Sequence, residues 1–400
     1  MSEWQLQTLD SAGIEFIDGD RGKNYPSQDD FLDIGHCLFL STKNVRANGF
    51  DFGDCQFISA EKDELLRKGK LNRGDIVLTT RGTVGNTALY DETVQFEHVR
   101  INSGMVIIRM KPTNVDSSFF LYFLRQLDYT SFVSGSAQPQ LPIRDLKQIE
   151  IALPPLPEQK AIASVLSSLD DKIDLLHRQN KTLEAMAETL FRQWFIEEEK
   201  EDWEYVELGS VVETSSGGTP SRKEMSYYEN GSIHWVKSKE LNGSFITETE
   251  EMITDEAVKK SSAKLLPAYS TLIAMYGATV GEYALITKTM TCNQAVCALK
   301  ENEAYPYTFI FMYVKNQKDE LINQAVGSAQ QNISQILIKK LPIPTCTARI
   351  NEYHQLVIPW FKKMQLNVEQ IQILEKLRDT LLPKLMSGEV RVQYQTEEVA

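Results

Sequence analysis

The 400-residue sequence predicts an α+β protein in which two pseudo-repeated globular α/β domains are separated by a long antiparallel two-helix coiled coil. Three observations favour this fold class: motifs that occur twice in the same order, short β-branched and aromatic runs between Gly, Asn and Pro, and two extended heptad patterns. Hydrophobic residues make up 42% and charged residues 24%, which excludes a wholly disordered or fibrous chain.

The repeat consists of motifs spaced by about 190 residues. A strand leading into a Lys-rich loop occurs at 38–45 and at 234–241, and the segments 76–89 and 272–285 share T-V-G-x-x-A-L. The other matched pairs are the glycine turns at 22–26 and 217–220, the G-S-A-Q segments at 135–138 and 327–330, and the ungapped stretches 183–190 and 374–381. A constant order with a constant spacing indicates a duplicated unit.

The first part of each copy is predicted to be a globular domain, at 1–155 and 203–345. Strands are predicted at 76–80, 103–110 and 272–276, where β-branched residues cluster. Helices are predicted at 117–127 and 307–314 from their apolar periodicity.

The second part of each copy is predicted to be a long helix. Residues 156–202 hold the first helix and an acidic hinge, and Pro157 suits its first turn. Its predicted seam is Leu166, Leu169, Ile173, Leu176, Asn180, Leu183 and Leu190.

Residues 346–400 hold the predicted second helix and a tail. Its predicted seam is Met364, Asn367, Ile371, Leu374 and Leu381. Pro359 lies inside this pattern and predicts a kink, or a helix start nearby, and Gly388 predicts the end of the helix.

Each seam is interrupted by one asparagine, Asn180 and Asn367. In an antiparallel pair these residues meet within about a turn, and a buried polar residue at a seam typically fixes helix register. An alternative is that each apolar stripe packs only on its own domain. Helices of about 35 residues, roughly 50 Å long, favour pairing instead.

The sequence has no recognisable catalytic signature. It contains no G-x-x-x-x-G-K-[ST], G-x-S-x-G or H-E-x-x-H, and its five histidines are widely spread. Its five cysteines form no C-x-x-C pair, which favours free thiols in a reducing cytosol. We therefore predict a cytoplasmic protein with no catalytic residue, metal or cofactor. We predict no membrane segment, because there is no run of 18 apolar residues, and no signal peptide, because the sequence does not start with a basic region followed by an apolar one.

The net charge of −13 excludes a general polycation, so DNA binding would need local basic patches. Such patches occur in matching loops of both halves, where Lys and Arg accompany Asn, Ser and Thr. These residue types hold phosphates and read base edges. The candidate DNA-binding residues are Lys43, Asn44, Arg46, Arg73, Thr80, Arg81, Thr83, Ser221, Arg222, Lys223, Lys237, Lys239 and Tyr276.

The two-copy layout, the L-P-P-L-P-E-Q start of the first helix at 153–159, the G-G-T-P-S turn at 217–221 and the T-V-G segments together resemble the specificity (S) subunit of Type I restriction-modification systems. The resemblance covers nearly the whole chain. It implies that two target-recognition domains each read half of a split double-stranded DNA sequence. It also implies that the helices space these domains and dock DNA methyltransferase (M) subunits, two of them, with restriction (R) subunits joining that core.

The second copy lacks the P-x-P-E-Q start, having P-T-C-T-A-R-I at 344–350. Three alternatives stay open at this point. The chain could be a protein-interaction scaffold that never contacts DNA, an enzyme of unknown type, or a specificity subunit serving a methyltransferase only.

Overall fold

The computed structural model describes residues 4–110, 114–133, 139–200, 203–325 and 332–393, so both G-S-A-Q segments lie outside the described residues. The chain divides into two compact units, 1–172 together with 375–400, and Ile173–Leu374. In the described part of the chain, no helix is long and apolar enough to cross a membrane. The division into four parts at 155, 202 and 345 stays a prediction.

The first unit is built around a four-stranded antiparallel sheet of order β2-β10-β7-β8, beside a β6-β3-β9 sheet and the pairs β1-β11 and β4-β5. The strands are β1 (Gln5–Thr8), β2 (Glu15–Asp18), β3 (Cys37–Leu40), β4 (Val45–Arg46), β5 (Gly49–Phe50), β6 (Phe57–Ile58), β7 (Asp75–Thr79), β8 (Thr87–Tyr90), β9 (Val99–Ile101), β10 (Met105–Arg109) and β11 (Glu150–Leu153). The central strands β7 and β10 are continuous apolar runs because both faces of the sheet are covered.

The helices that begin in this unit are α1 (Ala60–Leu65), α2 (Ser117–Gln126), α3 (Ile143–Lys147) and α4 (Leu156–Arg192). Asp116 caps α2 by accepting a hydrogen bond from the Phe119 amide. The apolar side of α2 then packs on one face of the sheet, in a cluster that also contains Ile162 and Leu166 of α4.

The second unit repeats this plan with a sheet of order β13-β20-β17-β18-β15, a β16-β14-β19 sheet and the pair β12-β21. The strands are β12 (Tyr205–Glu207), β13 (Thr214–Ser216), β14 (Ile233–Val236), β15 (Phe245–Ile246), β16 (Met252–Ile253), β17 (Thr271–Ala274), β18 (Tyr283–Ile286), β19 (Thr291–Cys292), β20 (Val296–Leu299) and β21 (Pro342–Pro344). The helices that begin in this unit are α5 (Leu208–Val211), α6 (Asp255–Lys260), α7 (Tyr307–Gln324), α8 (Gln335–Lys339) and α9 (Thr347–Ser387).

The shared strand order confirms the duplicated α+β fold that the sequence predicts. In both units a parallel pair, β3–β9 or β14–β19, belongs to the smaller sheet, and the larger sheet of the second unit gains a further parallel strand, β15. Helix α7 is ten residues longer than the predicted 307–314 segment, because the pattern becomes polar after Val314 while the helix continues to Gln324.

The second long helix begins at Thr347, close to the predicted boundary at 346, and continues through Pro359, so the alternative of a helix start near Pro359 was wrong. A proline deprives the carbonyl four residues earlier of its helical partner, here that of Gln355. Both residues are exposed, so water can satisfy that carbonyl and the helix continues through the position. The predicted stop is confirmed, because α9 ends at Ser387 and Gly388 follows with a φ of 75°.

Each unit contains an antiparallel pair of segments from the two long helices. In the first unit, Arg378 of α9 contacts Asp170 of α4 at 2.9 Å, and Leu166 lies in the same apolar cluster as Leu385. In the second unit, Ile173, Leu176 and Ile371 form a buried cluster with Leu374 beside it.

The predicted contact between the two seam asparagines is present in the second unit. The Asn367 side chain is fully buried and its Nδ2 donates to Asn180 Oδ1 at 2.8 Å. Asn180 Nδ2 in turn donates to the Met364 carbonyl at 3.3 Å. Of the remaining seam residues, Met364 is buried, and the others are half-buried, namely Leu169, Leu183, Leu190 and Leu381.

Candidate nucleic-acid interface

Each unit brings the same three loops together at the ends of its central strands. In the first unit the Asn102 amide donates to the Leu40 carbonyl at 3.0 Å, and the Thr80 amide donates to Gly104 at 2.9 Å. In the second unit Asn293 donates to Val236 at 2.9 Å, and Met275 donates to Ala295 at 2.7 Å. We call the loops at 41–46, 80–86 and 102–104 the first loop cluster, and those at 237–243, 275–281 and 293–295 the second loop cluster.

The hydrogen bonds define which residues of the two clusters are equivalent. Arg81 forms an isolated β-bridge with Gln140, and Tyr276 forms the same bridge with Asn332. Arg81 is therefore the counterpart of Tyr276, although the ungapped T-V-G match places Gly277 opposite it. The second unit has one extra residue between this bridge and T-V-G, and a single inserted residue is invisible to a motif match.

A glycine lies beneath each cluster, where the backbone passes close to the loop before β10 or β20. A Cβ on Gly19 would lie 2.3 Å from the Asn102 carbonyl oxygen, and one on Gly217 would lie 2.2 Å from that of Asn293. Only glycine fits at such a close approach. Gly217 thus corresponds to Gly19, rather than to Gly22 as the sequence match implied.

The T-V-G turn of each unit is anchored on a helix or turn behind it. Gly85 and Gly281 both have positive φ, and a Cβ on either would lie 2.7 Å from a neighbour, the ring of Tyr129 or the side chain of Ile322. On the other side, Asn86 Nδ2 donates to the Val45 carbonyl at 2.9 Å, which ties this turn to the loop after β3.

Exposed cations distinguish the first loop cluster. Lys43 is exposed and Arg81 half-buried, and no ion pair joins either one to an acidic side chain in the described part of the chain. Arg46 is exposed and lies 3.3 Å from Asp51. Thr83 is exposed, and its hydroxyl accepts a 3.3 Å hydrogen bond from Asn86.

Two predicted DNA-binding residues of the first unit, Asn44 and Thr80, use their polar side-chain atoms within the protein. Asn44 is 4% exposed and uses its amide fully, accepting from Ser41 and donating to the Asp51 and Asp54 carbonyls. The Thr80 hydroxyl is buried and donates to Gly104 at 3.0 Å. This geometry argues against direct DNA contacts by Asn44 and Thr80.

Arg73 is also held by its own unit. Its guanidinium lies 4.2 Å from the Tyr90 ring centre and donates to the Asp91 and Phe96 carbonyls. The side chain therefore stabilises the loop after β8, which argues against a direct role in binding. Motif reasoning cannot separate such an arginine from a ligand-binding one, because both lie in polar loops beside strands and carry the same charge.

Three of the four predicted cations of the second unit contact two carboxylates that sequence reasoning missed. Lys237 Nζ lies 2.8 Å from Glu250 and 2.7 Å from Glu251, Lys239 lies 2.7 Å from Glu250, and Arg222 lies 2.6 Å from Glu251. Hydrogen bonds from Arg222 and then Lys237 lower the pKa of Glu251 to about 2. The pKa of Glu250 is also lowered, first by Lys237.

The remaining predicted residues of the second unit are open to solvent. Ser221 and Lys223 are exposed beside Arg222, and 42% of the Tyr276 side chain is exposed at the edge of the second loop cluster. Lys239 is the counterpart of Lys43, because each lies in a single helical turn that follows β14 or β3.

Glu158 and Gln159 at the start of α4 are buried and form hydrogen bonds within the protein. Glu158 is fully buried and forms a two-point ion pair with Arg391, while the Gln159 amide accepts from the Asp116 amide and donates to the Asn114 and Pro154 carbonyls. These contacts join the helix start to the loop before α2 and to the segment after α9. The P-E-Q motif thus has a role in packing. Among the described residues, no cluster of His, Cys, Asp or Glu is arranged to hold a metal ion.

The family model described as "Type I restriction modification DNA specificity domain" matches the chain twice, at 10–185 and 200–355. The specificity subunit of the Type I restriction enzyme MjaIX of Methanocaldococcus jannaschii is 30% identical over 348 residues, which cover 80% of this chain and 78% of that protein. The Escherichia coli EcoR124I/EcoR124II specificity subunit is 27% identical, covering 66% of this chain and 67% of its own length. A crystal structure of a Type I restriction-modification S subunit from M. genitalium covers 96% of each chain with a TM-score of 0.63 and 16% identity, which shows a shared fold.

Proposed function

Because the chain belongs to the family of Type I restriction-modification specificity subunits, which are non-catalytic recognition components, we propose that it selects the DNA sequence on which such a complex acts. Each loop cluster binds one half of a bipartite double-stranded DNA site. The helices α4 and α9 assemble with DNA methyltransferase subunits, two per chain, and restriction subunits join through that core. The complex works in the cytoplasm, where bacterial and archaeal DNA lies.

The observation that carries this proposal is one backbone frame that presents different side chains in the two units. Equivalent hydrogen bonds hold Arg81 and Tyr276 at the same place, while Asn44 and Glu240 both serve the frame by closing the equivalent turns after β3 and β14. A conserved frame with exchanged side chains is what reading two different half-sites requires, because base edges are distinguished by side-chain donors and acceptors.

The direct test is methylome sequencing of a host that expresses this chain with its methyltransferase subunits. We expect one methylated bipartite sequence, and exchanging residues 80–86 for the loop of a relative should change one half only. A change in both halves, or in neither, would contradict the assignment of one half-site to one loop cluster.

The long helices are proposed to set the number of unread base pairs between the half-sites. Deleting Lys181–Glu184 of α4 with the facing 363–366 of α9 removes about 6 Å of helix, which corresponds to roughly two base pairs. We expect a shorter spacer with both half-sites unchanged. An altered half-site with an intact spacer would refute the role of the helices.

A protein-interaction scaffold without DNA binding is the main alternative, since the chain is acidic overall. Filter binding of the complex to a duplex across salt concentrations separates the two. Phosphate contacts make affinity fall steeply with salt, whereas a scaffold would show no such binding. A methyltransferase-only system is distinguished from a restricting one by measuring DNA cleavage by the same complex with and without a restriction subunit.

A further inference from the structure

The carboxylates Glu250 and Glu251 lie where the proposed function expects a positive surface. They form, with Arg222, Lys237 and Lys239, a network that we call the charge lock. It contains three cations and two anions, joined by four contacts of 2.6–2.8 Å. The first loop cluster has no such network around Lys43 and Arg81 in the described part of the chain.

The backbone that carries the two carboxylates is fixed by hydrogen bonds, so the segment 250–251 is held beside the three cations. The Glu250 amide donates to Glu240 Oε1 at 2.8 Å, and the Thr249 hydroxyl donates to the Glu251 carbonyl at 2.7 Å. That carbonyl also accepts from the Trp235 amide at 3.2 Å, which ties the segment to β14.

Two of the three cations, Lys237 and Arg222, are also constrained, whereas Lys239 is mostly exposed. Only 15% of the Lys237 side chain is exposed, and its Nζ touches both carboxylates. The Arg222 guanidinium lies 4.4 Å from the ring centre of Tyr228 and 5.0 Å from that of Trp235, while its Nη1 contacts Glu251. A phosphate that approached these cations would have to compete with carboxylates already in place and would be repelled by them.

We infer that Glu250 and Glu251 are specificity-determining residues of the second unit, which suppress its binding to DNA of unrelated sequence. This inference rests on the proposed function. Every duplex offers the same phosphates, and the charge lock weakens that common attraction. A cognate half-site compensates by donating base-edge amino groups to the carboxylates, as cytosine N4 or adenine N6 can.

The test uses the complex of the full chain with its methyltransferase subunits. Its binding is measured to two duplexes of equal length, one containing the sequence that the complex methylates and one of unrelated sequence. The variants are Glu250→Gln, Glu251→Gln and both together, which keep side-chain size and remove the negative charge. Glu256→Gln is the matched control, because Glu256 pairs with Lys260 on exposed α6 and loses the same charge outside the charge lock.

We expect the double variant to bind the unrelated duplex about fivefold or more tightly, with a salt slope steeper by about one to two, since each freed cation adds roughly 0.9. Affinity for the cognate duplex should rise less or fall, so discrimination decreases. Unrelated-duplex affinity and slope equal to those of Glu256→Gln would overturn the inference. So would loss of cognate affinity with unchanged unrelated binding, which would make the carboxylates ordinary base contacts.

The proposed function fails differently from this inference. If the wild-type complex shows no salt-dependent DNA binding at all, the recognition role itself is wrong. If it binds and discriminates but the variants behave as the control does, only the charge lock is wrong.

Discussion

The two loop clusters share a backbone frame and differ in electrostatics. In the first, Lys43 and Arg81 form no ion pair with the described residues, whereas in the second Arg222, Lys237 and Lys239 are held by Glu250 and Glu251. Duplication therefore preserved the hydrogen bonds that shape the surface but not the charge that the surface presents. We expect the first unit to contribute more of the non-specific affinity and the second unit more of the discrimination.

The largest effect is expected from reversing charge in the first loop cluster. Lys43→Glu with Arg81→Glu should weaken DNA binding by about a hundredfold and reduce the salt slope by about two, because two cations that we propose to contact phosphates become anions. Filter binding at several salt concentrations measures both quantities.

Two further reversals complete this comparison. Lys237→Glu should lower the affinity for DNA less than Lys43→Glu or Arg81→Glu alone, since the charge of Lys237 is already neutralised by Glu250 and Glu251. Lys147→Glu, which changes an exposed partner of Asp10, is the control. An equal loss for Lys237→Glu would contradict the difference between the clusters.

We expect equivalent glycine substitutions in the T-V-G turns to destabilise the two units to a similar extent. Gly85→Ala and Gly281→Ala each place a Cβ 2.7 Å from a neighbour at positive φ and should destabilise their own unit by about 1–3 kcal/mol. Thermal unfolding of the complex and the methylation of each half-site give the readout. Gly49→Ala and Gly277→Ala separate strain from collision, because both have positive φ and open space around the Cβ. A smaller loss of stability for Gly281→Ala than for Gly277→Ala would contradict the role of the close contact with Ile322.

The helix segments of the two units also differ, with an ion pair between Asp170 and Arg378 in the first and an amide pair in the second. Asn180→Leu alone should destabilise the second unit by about 1–3 kcal/mol, because the buried Asn367 amide loses its 2.8 Å hydrogen bond and keeps only a 3.4 Å contact with Gln179. Replacing both by Leu should raise the melting temperature while loosening helix register.

Calorimetry, with spin-label distances across α4 and α9, measures both outcomes for the asparagine variants. Asn351→Leu makes the same chemical change at an exposed position of α9. Unchanged register in the double variant would show that the amides do not specify it.

The smallest expected effect is a pH dependence of the second unit. Burial, followed by the charge of Lys362, lowers the pKa of His354 below its ordinary 6.5, and its Nδ1 is 2.8 Å from the Thr308 hydroxyl. A lowered folded-state pKa adds stability above about pH 6.5, which is lost as the pH falls. The melting temperature should drop by roughly 2 °C more between pH 7.5 and 5.5 in wild type than in His354→Gln. An identical drop in both proteins would exclude this histidine.

Sequence patterns predicted the duplication, the α+β class, the two long helices and the contact between Asn180 and Asn367, because periodicity and repeat order report on which faces are buried. They left the start of α9 open between 346 and Pro359, since the sequence does not show whether the carbonyl that loses its hydrogen bond to a proline is exposed to water. They did not distinguish Asn44, Thr80 and Arg73 from exposed residues, because burial and internal hydrogen bonding depend on how the loops fold and not on residue type. Glu250 and Glu251 were missed for a different reason, because DNA-binding loops were identified by their positive charge alone.

The ion pair between Glu158 and Arg391 has a consequence for biosynthesis. The second unit is one uninterrupted stretch, Ile173–Leu374, whereas the first requires a segment that follows it, including Leu385 and Arg391. On a ribosome, which releases the chain from its N-terminus onward, the unit that begins first can be completed only last. Until then its apolar cluster lacks Leu385 and the buried Glu158 lacks its partner, so the nascent first unit is the part of this chain most in need of a chaperone or of a partner subunit.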